Sequence, residues 1–207
     1  MAGIVYYCLD LESTGLMVGT HEITELSIIN ATNKSQLTRM VRADHPENAS
    51  LDALKITGKT KDDLKKGCSK QTLITDVEKF INEDGLTPSH RCLVGHNIIS
   101  FDKRFLWQLW ESQGKEFPFN MYLDTIHLMR AYTKRLQMVK QKVNLAASCE
   151  LLKIATVNDK WHSAKADTQN CFFLWQKLME CVDYLEHIKT MPHNISSSTT
   201  DDLNEEI

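Results

Sequence analysis

The sequence lacks a hydrophobic run long enough to cross a membrane. No stretch of its 207 residues approaches the ~20 consecutive apolar residues that a transmembrane helix needs. Residues 1–9 also lack the basic start and long apolar segment of a signal peptide. Apolar residues make up 42% and charged residues 25% of the chain, which excludes both a disordered and a membrane-embedded protein. We therefore expect a soluble, intracellular, cytoplasmic protein without a membrane partner.

The sequence also lacks a C-x-x-C pair and an internal repeat. Its six cysteines are scattered, which argues against a zinc site or a disulfide framework and favours reduced thiols. The length suits one domain, which would bury roughly 70% of the surface that the unfolded chain exposes. We assign residues 1–190 to this domain and predict that the acidic, Ser/Thr-rich residues 191–207 form a disordered tail.

Positive charge is not in excess. The chain has 24 Lys and Arg residues against 27 Asp and Glu residues, a net charge of −3. Residues 196–207 contain four acidic residues and no basic one, so the preceding chain has 24 basic against 23 acidic residues, or +1. A polyanion bound by this protein must therefore be neutralised locally, by a small basic patch or by metal ions.

Strand patterns come early in the chain and helix patterns come later. Apolar runs and alternation predict strands at residues 4–9, 22–30, 36–42, 91–94 and 121–123. Helical spacing predicts helices at residues 72–82, 101–112, 144–152, from 124 onward, and from 164 to about 187. This order is typical of an α/β fold with a mixed sheet.

Two carboxylates close the first predicted strand. Asp10 and Glu12 are two residues apart, so on a strand their side chains project to the same face. Adjacent carboxylates repel each other unless they share a cation such as Mg²⁺ or Mn²⁺. The D-x-E pattern also arises by chance: Asp76 and Glu78 repeat it on a predicted helix, where the two side chains point about 200° apart. We interpret that second pair as a solvated face.

A third carboxylate follows a turn after the fourth predicted strand. Gly95, His96 and Asn97 lead to Asp102, which begins a predicted helix. Taken alone, Asp102 could simply complement the helix macrodipole, with His96 and Asn97 as ordinary turn residues.

A histidine and a fourth carboxylate precede the end of the folded region. His162 and Asp167 are five residues apart, which is about 140° on a single helix. Their side chains converge only if His162 lies in the loop before the helix that carries Asp167. This spacing alone is expected by chance in a sequence of this composition.

In order, these segments resemble the motifs of a known family. Residues 9–16 (LDLESTGL) resemble the first motif of the DEDD exonuclease superfamily, and residues 95–102 resemble the second. Residues 162–167 resemble the third motif in its histidine-bearing DEDDh, or DnaQ-like, branch. The resemblance covers residues 4–185. One mild departure is Ser13, where many members have Thr.

The resemblance implies an RNase H-like fold, an α/β architecture with a mixed five-stranded sheet flanked by helices. It implies a metal-dependent 3′–5′ exonuclease that hydrolyses nucleic acid and releases nucleoside 5′-monophosphates. His162 would be the general base. Two Mg²⁺ or Mn²⁺ ions per active site would be held by Asp10, Glu12, Asp102 and Asp167. The implied substrate-binding residues are Ser13, Thr14, Gly15, Leu16, His96 and Asn97.

The expected partner is nucleic acid with a free 3′ end, with single-stranded DNA or RNA favoured. Two alternatives stay open at this point. The chain could be a proofreading or accessory subunit of a polymerase complex, with a polymerase or another protein as partner. It could instead be a catalytically silent, nucleic-acid-binding scaffold. Either a monomer or a homodimer is compatible with the sequence.

Overall fold

A computed structural model of the chain describes residues 3–138, 140–157, 162–181 and 187–190. The strands in these ranges are β1 (Val5–Ser13), β2 (Ile23–Asn30), β3 (Gln36–Met40), β4 (Arg91–Gly95), β5 (Met121–Asp124) and β6 (Lys189–Thr190). The α-helices are α1 (Leu51–Thr57), α2 (Lys70–Asn82), α3 (Asp102–Ser112), α4 (Thr125–Arg135), α5 (Leu145–Leu151) and α6 (Ala164–Met179).

All six strands belong to one mixed sheet with the order β3-β2-β1-β4-β5-β6. The strand β1 pairs antiparallel with β2 and parallel with β4, and β4 pairs parallel with β5. The predicted mixed α/β architecture and all five predicted strands are confirmed. Because β1, β4 and β5 are parallel neighbours, the loops after their carboxyl ends meet at one edge of the sheet.

The sheet has a sixth strand that the sequence did not predict. The helix predicted up to residue 187 was too long, since α6 ends at Met179 and Lys189–Thr190 forms β6. In β6, Lys189 pairs with Tyr122 and Thr190 with Met121, antiparallel to β5. The open edge of β5 offers unpaired backbone groups, and a short extended segment satisfies them.

The sheet separates two hydrophobic layers, and β1 contributes to both. Tyr7, Leu9 and Leu11 face the layer that contains α2 and α3, whereas Cys8 faces the layer that contains α4, α5 and α6. Side chains on a strand alternate between faces, so Asp10 and Glu12 share the face of Cys8. The fold therefore directs both carboxylates towards the side of the sheet that α6 covers.

Capping side chains fix where several helices begin. The side chains of Ser50, Ser69, Asp124 and Asn144 accept hydrogen bonds from backbone N–H groups in the first turns of α1, α2, α4 and α5. Asp124 is therefore both the last residue of β5 and the cap of α4. This short connection is what places a buried carboxylate beside the loop that follows β4.

None of the helices in the described ranges combines the length and the apolar character that crossing a bilayer requires. The six cysteines are free, and Cys8, Cys92, Cys149 and Cys171 are buried. The predicted tail, residues 191–207, lies outside the described residues, so its disorder stays a prediction.

Candidate active site

The four predicted carboxylates lie in one cavity at the carboxyl end of β1. Asp10 and Glu12 are on β1, Asp102 is the first residue of α3, and Asp167 lies in the first turn of α6. Together with His162 they line a cavity of about 620 Å³. The fold thus brings together acidic side chains from both ends of the sequence.

Asp102 does more than complement the dipole of its own helix. Its carboxylate Oδ1 accepts a hydrogen bond of 3.0 Å from the backbone N–H of Leu11 on β1. Only 3% of the residue is exposed, although it begins the helix. The contact ties the start of α3 to the strand that carries Asp10 and Glu12.

His162 lies in the loop before α6, the placement that convergence with Asp167 requires. Its backbone N–H donates a 2.8 Å hydrogen bond to Asp167 Oδ2, and its backbone is left-handed, with φ of 70°. One ligand atom from each of Glu12, His162 and Asp167 lies within 4.8 Å of the others. The imidazole is exposed at the cavity rim, whereas Asp167 is buried.

The carboxylates raise one another's affinity for protons. Burial, followed by the charges of Asp102, Glu12 and Asp167, raises the pKa of Asp10 well above its usual value. Burial is also the main reason why the pKa of Glu12 rises to about 7 and that of Asp102 to about 8. The pKa of Asp167 is raised by burial as well. Without a cation, this cluster retains protons near neutral pH.

A sequence model of the RNase T family, which is described as an exonuclease family, matches residues 7–174 of the chain. The chain belongs to this exonuclease family. The matched segment contains the four carboxylates of the cavity and His162. The DEDDh resemblance is confirmed.

Proteins similar to this family member include a PolC-type DNA polymerase III from Halalkalibacterium halodurans, 32% identical over 126 residues. That match covers 60% of the chain but only 8% of the polymerase. The nuclease domain of 3′hExo, a DEDDh family member bound to rAMP, has a TM-score of 0.66 and 16% identity, with 86% of this chain and 93% of that domain covered. E. coli exonuclease I in complex with a dT13 oligonucleotide has a TM-score of 0.71 and 16% identity, and the match covers 86% of this chain and 41% of exonuclease I. These structures share the RNase H-like fold.

The donor set of this exonuclease family member fits divalent cations. Four carboxylates converge, and Asp167 Oδ1 is buried without a hydrogen-bond partner among the described residues. A buried polar atom without a partner is costly, and a cation would satisfy it. Bound cations would also reverse the repulsion that raises the pKa values of the cluster.

Sequence reasoning missed an ion pair beside Glu12. Glu25 on β2 is the direct cross-strand partner of Glu12, so two carboxylates stand side by side. Lys59 Nζ lies 3.1 Å from Glu25 Oε2, and both side chains are nearly buried. The Lys59 charge counteracts the rise in the pKa of Glu12. The pairing depends on the register of β1 and β2, which the sequence pattern does not specify.

Asp124 holds the loop that follows β4. Its carboxylate accepts hydrogen bonds from the backbone N–H groups of Asn97 (2.9 Å), Ile99 (3.2 Å) and Ile126 (3.0 Å). The loop contains a left-handed residue, Asn97, with φ of 68°. Asp124 thereby fixes the segment between β4 and Asp102. It acts as a positioning residue, whereas the sequence pattern predicted only that a helix begins near it.

His96 is held in place by Thr125, the first residue of α4. Its Nδ1 lies 2.8 Å from Thr125 Oγ1, and the Thr125 hydroxyl donates to the carbonyl of Gly95 at 3.1 Å. Burial lowers the pKa of the His96 imidazole. His96 and Asn97 both line the cavity, but the His96 ring is held against α4 rather than free to follow a substrate.

Replacing Asp124 with Asn should slow cleavage about 10–100-fold, as loss of a supporting contact does at other sites. The amide oxygen can still accept from the N–H groups of Asn97 and Ile126, but the amide nitrogen cannot replace the Oδ2 atom that accepts from Ile99. The loop before Asp102 therefore loses one of its anchors, at a stability cost of about 1–3 kcal/mol. Initial rates and thermal unfolding check this prediction. Asp63→Asn is the control, because Asp63 also accepts a backbone N–H, from Thr60 at 3.0 Å, but on an exposed turn. Equal rates for both variants at a temperature where both are folded would refute the positioning role.

A second, apolar slot adjoins the carboxylate cavity. It has a volume of about 330 Å³ and shares Glu12, Leu16 and Phe101 with the larger cavity. Ile56 on α1 also lines the slot, and Leu16, which lines both cavities, is 79% exposed. The sequence resemblance predicts Leu16 as a substrate contact, but it predicts no such role for Ile56 or Phe101.

The remaining predicted substrate residues shape this slot through the backbone. The Ser13 hydroxyl donates to the carbonyl of Gly15 at 2.6 Å, and Thr14 Oγ1 accepts from the N–H of Glu22 at 2.9 Å. Ser13 and Gly15 line the slot, whereas Thr14 is buried and lines neither cavity. A Cβ atom on Gly15 would lie 2.5 Å from the His21 ring, so a larger residue would not fit.

Proposed function

We propose that this family member is a 3′–5′ exonuclease that shortens single-stranded nucleic acid one nucleotide at a time and releases nucleoside 5′-monophosphates. The main observation that supports this proposal is that four carboxylates with raised pKa values lie directly beside an apolar slot. The carboxylates suit phosphodiester chemistry assisted by cations, and the slot suits a nucleobase. The polarity follows from the DEDDh resemblance of the three motifs.

Asp10, Glu12, Asp102 and Asp167 would hold two Mg²⁺ or Mn²⁺ ions. When bound, such ions neutralise the charge that would repel a phosphodiester and lower the pKa of an attacking water. The near-neutral net charge of the chain is consistent with this local neutralisation. Asp102 is kept in place through Leu11, and the loop before it through Asp124.

His162 would accept the proton of the attacking water. An imidazole nitrogen carries a lone pair that can take up a proton and release it again in each cycle. Its exposed position at the cavity rim leaves the ring free to turn towards a substrate. The hydrogen bond from its backbone to Asp167 keeps the ring near the carboxylates while the side chain moves.

The slot would receive the base of the terminal nucleotide between Leu16 and Phe101. Its volume of about 330 Å³ is at the small end of the range for ligand pockets, which matches one nucleoside rather than a longer segment. A terminal base seated there would place the adjacent phosphate at Glu12, which lines both cavities. End recognition then arises because only a chain terminus can enter the slot.

The alternatives have less support. A catalytically silent scaffold would be expected to lack at least one of the five positions, and all five are present in the cavity. A proofreading role in a polymerase complex draws on the similarity to a PolC-type polymerase, of which the chain spans 8%. A preference for mismatched over paired 3′ termini would favour that role.

The direct test is a time course on 5′-labelled DNA and RNA oligonucleotides of one sequence, single-stranded and paired, with Mg²⁺ or Mn²⁺. We expect a ladder that shortens stepwise from the 3′ end, and nucleoside 5′-monophosphates as the products. EDTA and the Asp167→Ala substitution should each abolish the ladder. A circular single strand, which has no terminus, is the matched control and should stay intact.

Internal cuts, cleavage of the circle or immediate release of the 5′ label would each contradict the proposal. The comparison of DNA with RNA identifies the preferred substrate in the same experiment, because recognition of the 2′-hydroxyl separates the two.

A further inference from the structure

His21 stands between the apolar slot and a third, more polar cavity. That cavity has a volume of about 540 Å³, and Lys70, Gln108 and Phe105 are among the residues that line it. Of the residues that the structure describes, His21 alone lines both this cavity and the slot. It does not line the carboxylate cavity. The imidazole is therefore a wall of the slot that is separate from the proposed ion site.

The His21 ring lies with its face on the backbone of Gly15. A Cβ atom built on Gly15 would be 2.5 Å from Cδ2, 2.5 Å from Nε2 and 2.7 Å from Cε1 of His21. Nearly equal distances to three adjacent ring atoms place this position over the ring face, not in line with a bond from Nε2 to its proton. Gly15 therefore supports the imidazole without covering the Nε2 atom.

The hydrogen bonds of the ring fix where its proton lies. Nδ1 of His21 accepts the backbone N–H of Met17 at 2.9 Å, so this nitrogen carries no proton and Nε2 carries it. Nε2 has no hydrogen-bond partner among the described residues. The hydroxyls of Ser13 and Thr57, which also line the slot, already donate to backbone carbonyls. His21 therefore brings a free N–H donor to a slot whose walls are otherwise largely apolar.

We propose that His21 is a specificity-determining residue whose Nε2–H donates a hydrogen bond to an acceptor on the edge of the 3′-terminal base. The inference rests on the proposed function, in which the slot receives that base between Leu16 and Phe101. The natural bases carry ring-nitrogen or carbonyl acceptors on their edges. Apolar walls alone would hold any flat ring of suitable size. The donor favours a ring with an acceptor, because a ring without one would leave the N–H unpaired in the occupied slot.

The test compares two single strands that differ only in the terminal base, which is thymine or difluorotoluene. Difluorotoluene has the shape of thymine but lacks its carbonyl acceptors. His21→Phe keeps a flat ring over Gly15 and removes the N–H donor. The Met17 N–H that loses its acceptor is exposed, so water can replace the imidazole there. The control is His45→Phe, the same change at a residue that lines the polar cavity but not the slot.

We expect the parent protein to prefer the thymine strand in kcat/KM by about three- to tenfold, the value of one hydrogen bond between uncharged groups. In His21→Phe the ratio should fall to within about twofold of one, whereas His45→Phe should keep the parent's ratio. The loss should be found in KM and not in kcat, because the base is bound equally in the ground state and the transition state. Damage to the fold would instead slow cleavage of both strands alike.

A second measurement does not depend on cleavage. Binding of the two strands to the Asp167→Ala protein with Mn²⁺, followed by fluorescence polarisation, should show the same preference. Imidazole nitrogen NMR spectra of that protein should show a proton on Nε2 of His21, with a signal that shifts more for the thymine strand than for its isostere. These spectra need no substitution at position 21, so they test the contact even where His21→Phe does not fold.

An equal preference in the parent and His21→Phe would overturn the inference, and so would an equal loss in His45→Phe. If strands are shortened in those cases, the exonuclease proposal still stands. If the strands bind with the expected preference but the parent protein shortens neither, the His21 contact stands and the exonuclease proposal fails.

Discussion

Replacing Asp10 with Asn is expected to lower the rate of nucleic-acid cleavage by roughly 10³-fold, because loss of one ligand removes several kcal/mol of charge stabilisation. Asp10 is the most informative of the four carboxylates, since its charge interacts with those of Asp102, Glu12 and Asp167. Asn preserves the size of the side chain, so the loss would reflect charge rather than packing. Initial rates on a 5′-labelled single strand at saturating Mn²⁺ measure the effect.

The chain contains its own control for this substitution. Asp76 belongs to the second D-x-E sequence, lies on α2 and forms an ion pair with Arg39 at 2.6 Å. Asp76→Asn should leave the rate within about twofold and cost at most about 1 kcal/mol, as partly exposed ion pairs do. A similar loss in both variants, or full activity of Asp10→Asn, would contradict the assignment of the cavity.

The two D-x-E sequences show why periodicity could identify the site. The same three-residue pattern places its carboxylates together on a strand and apart on a helix, and the apolar run before Asp10 identified the strand. The interpretation of the second pair as a solvated face was incomplete. Asp76 pairs with Arg39, and Glu78 accepts from Trp110 Nε1 at 3.2 Å and pairs with Lys115.

Periodicity predicts faces but does not predict register or partners across the sheet. Glu25 lies opposite Glu12 only because of how β1 and β2 align, with an irregularity between Glu12 and Ser13. Asp124 reaches Asn97 because β4 and β5 are parallel neighbours. These contacts join residues far apart in sequence, and each depends on the assembled fold. The two-residue strand β6 is too short to have a period at all.

In the metal-free protein, the free energy of unfolding contributed by the carboxylate cluster should fall as pH rises. The pKa of Glu12 is raised from 4.5 to about 7 and that of Asp102 from 3.8 to about 8, chiefly by burial. A group with a raised pKa binds its proton more tightly in the folded state, so its contribution is present below the unfolded pKa. That contribution is lost progressively between about pH 4 and pH 8, the window that these two shifts define.

Asp102→Asn is therefore expected to stabilise the metal-free protein at pH 8 while impairing cleavage. Asn can still accept the N–H of Leu11, but it carries no charge into the acidic cluster. The gain should be at least about 2 kcal/mol, because the pKa of Asp102 is raised from 3.8 to about 8 and a single pKa unit already corresponds to about 1.4 kcal/mol. For a chain of this size that gain raises the midpoint of thermal unfolding by about 4–8 °C.

Thermal unfolding in EDTA at pH 5 and pH 8 measures this difference, which should be small at pH 5 and large at pH 8. Mn²⁺ should stabilise the parent protein more than the variant at pH 8, because the ion binds the ionised cluster of the folded state. Asp62→Asn, on an exposed turn, is the control and should shift neither midpoint. A variant less stable than its parent at pH 8 would mean that Asp102 is held for the fold. The expected result would mean that the protein sacrifices stability to keep a cluster of carboxylates ready for cations.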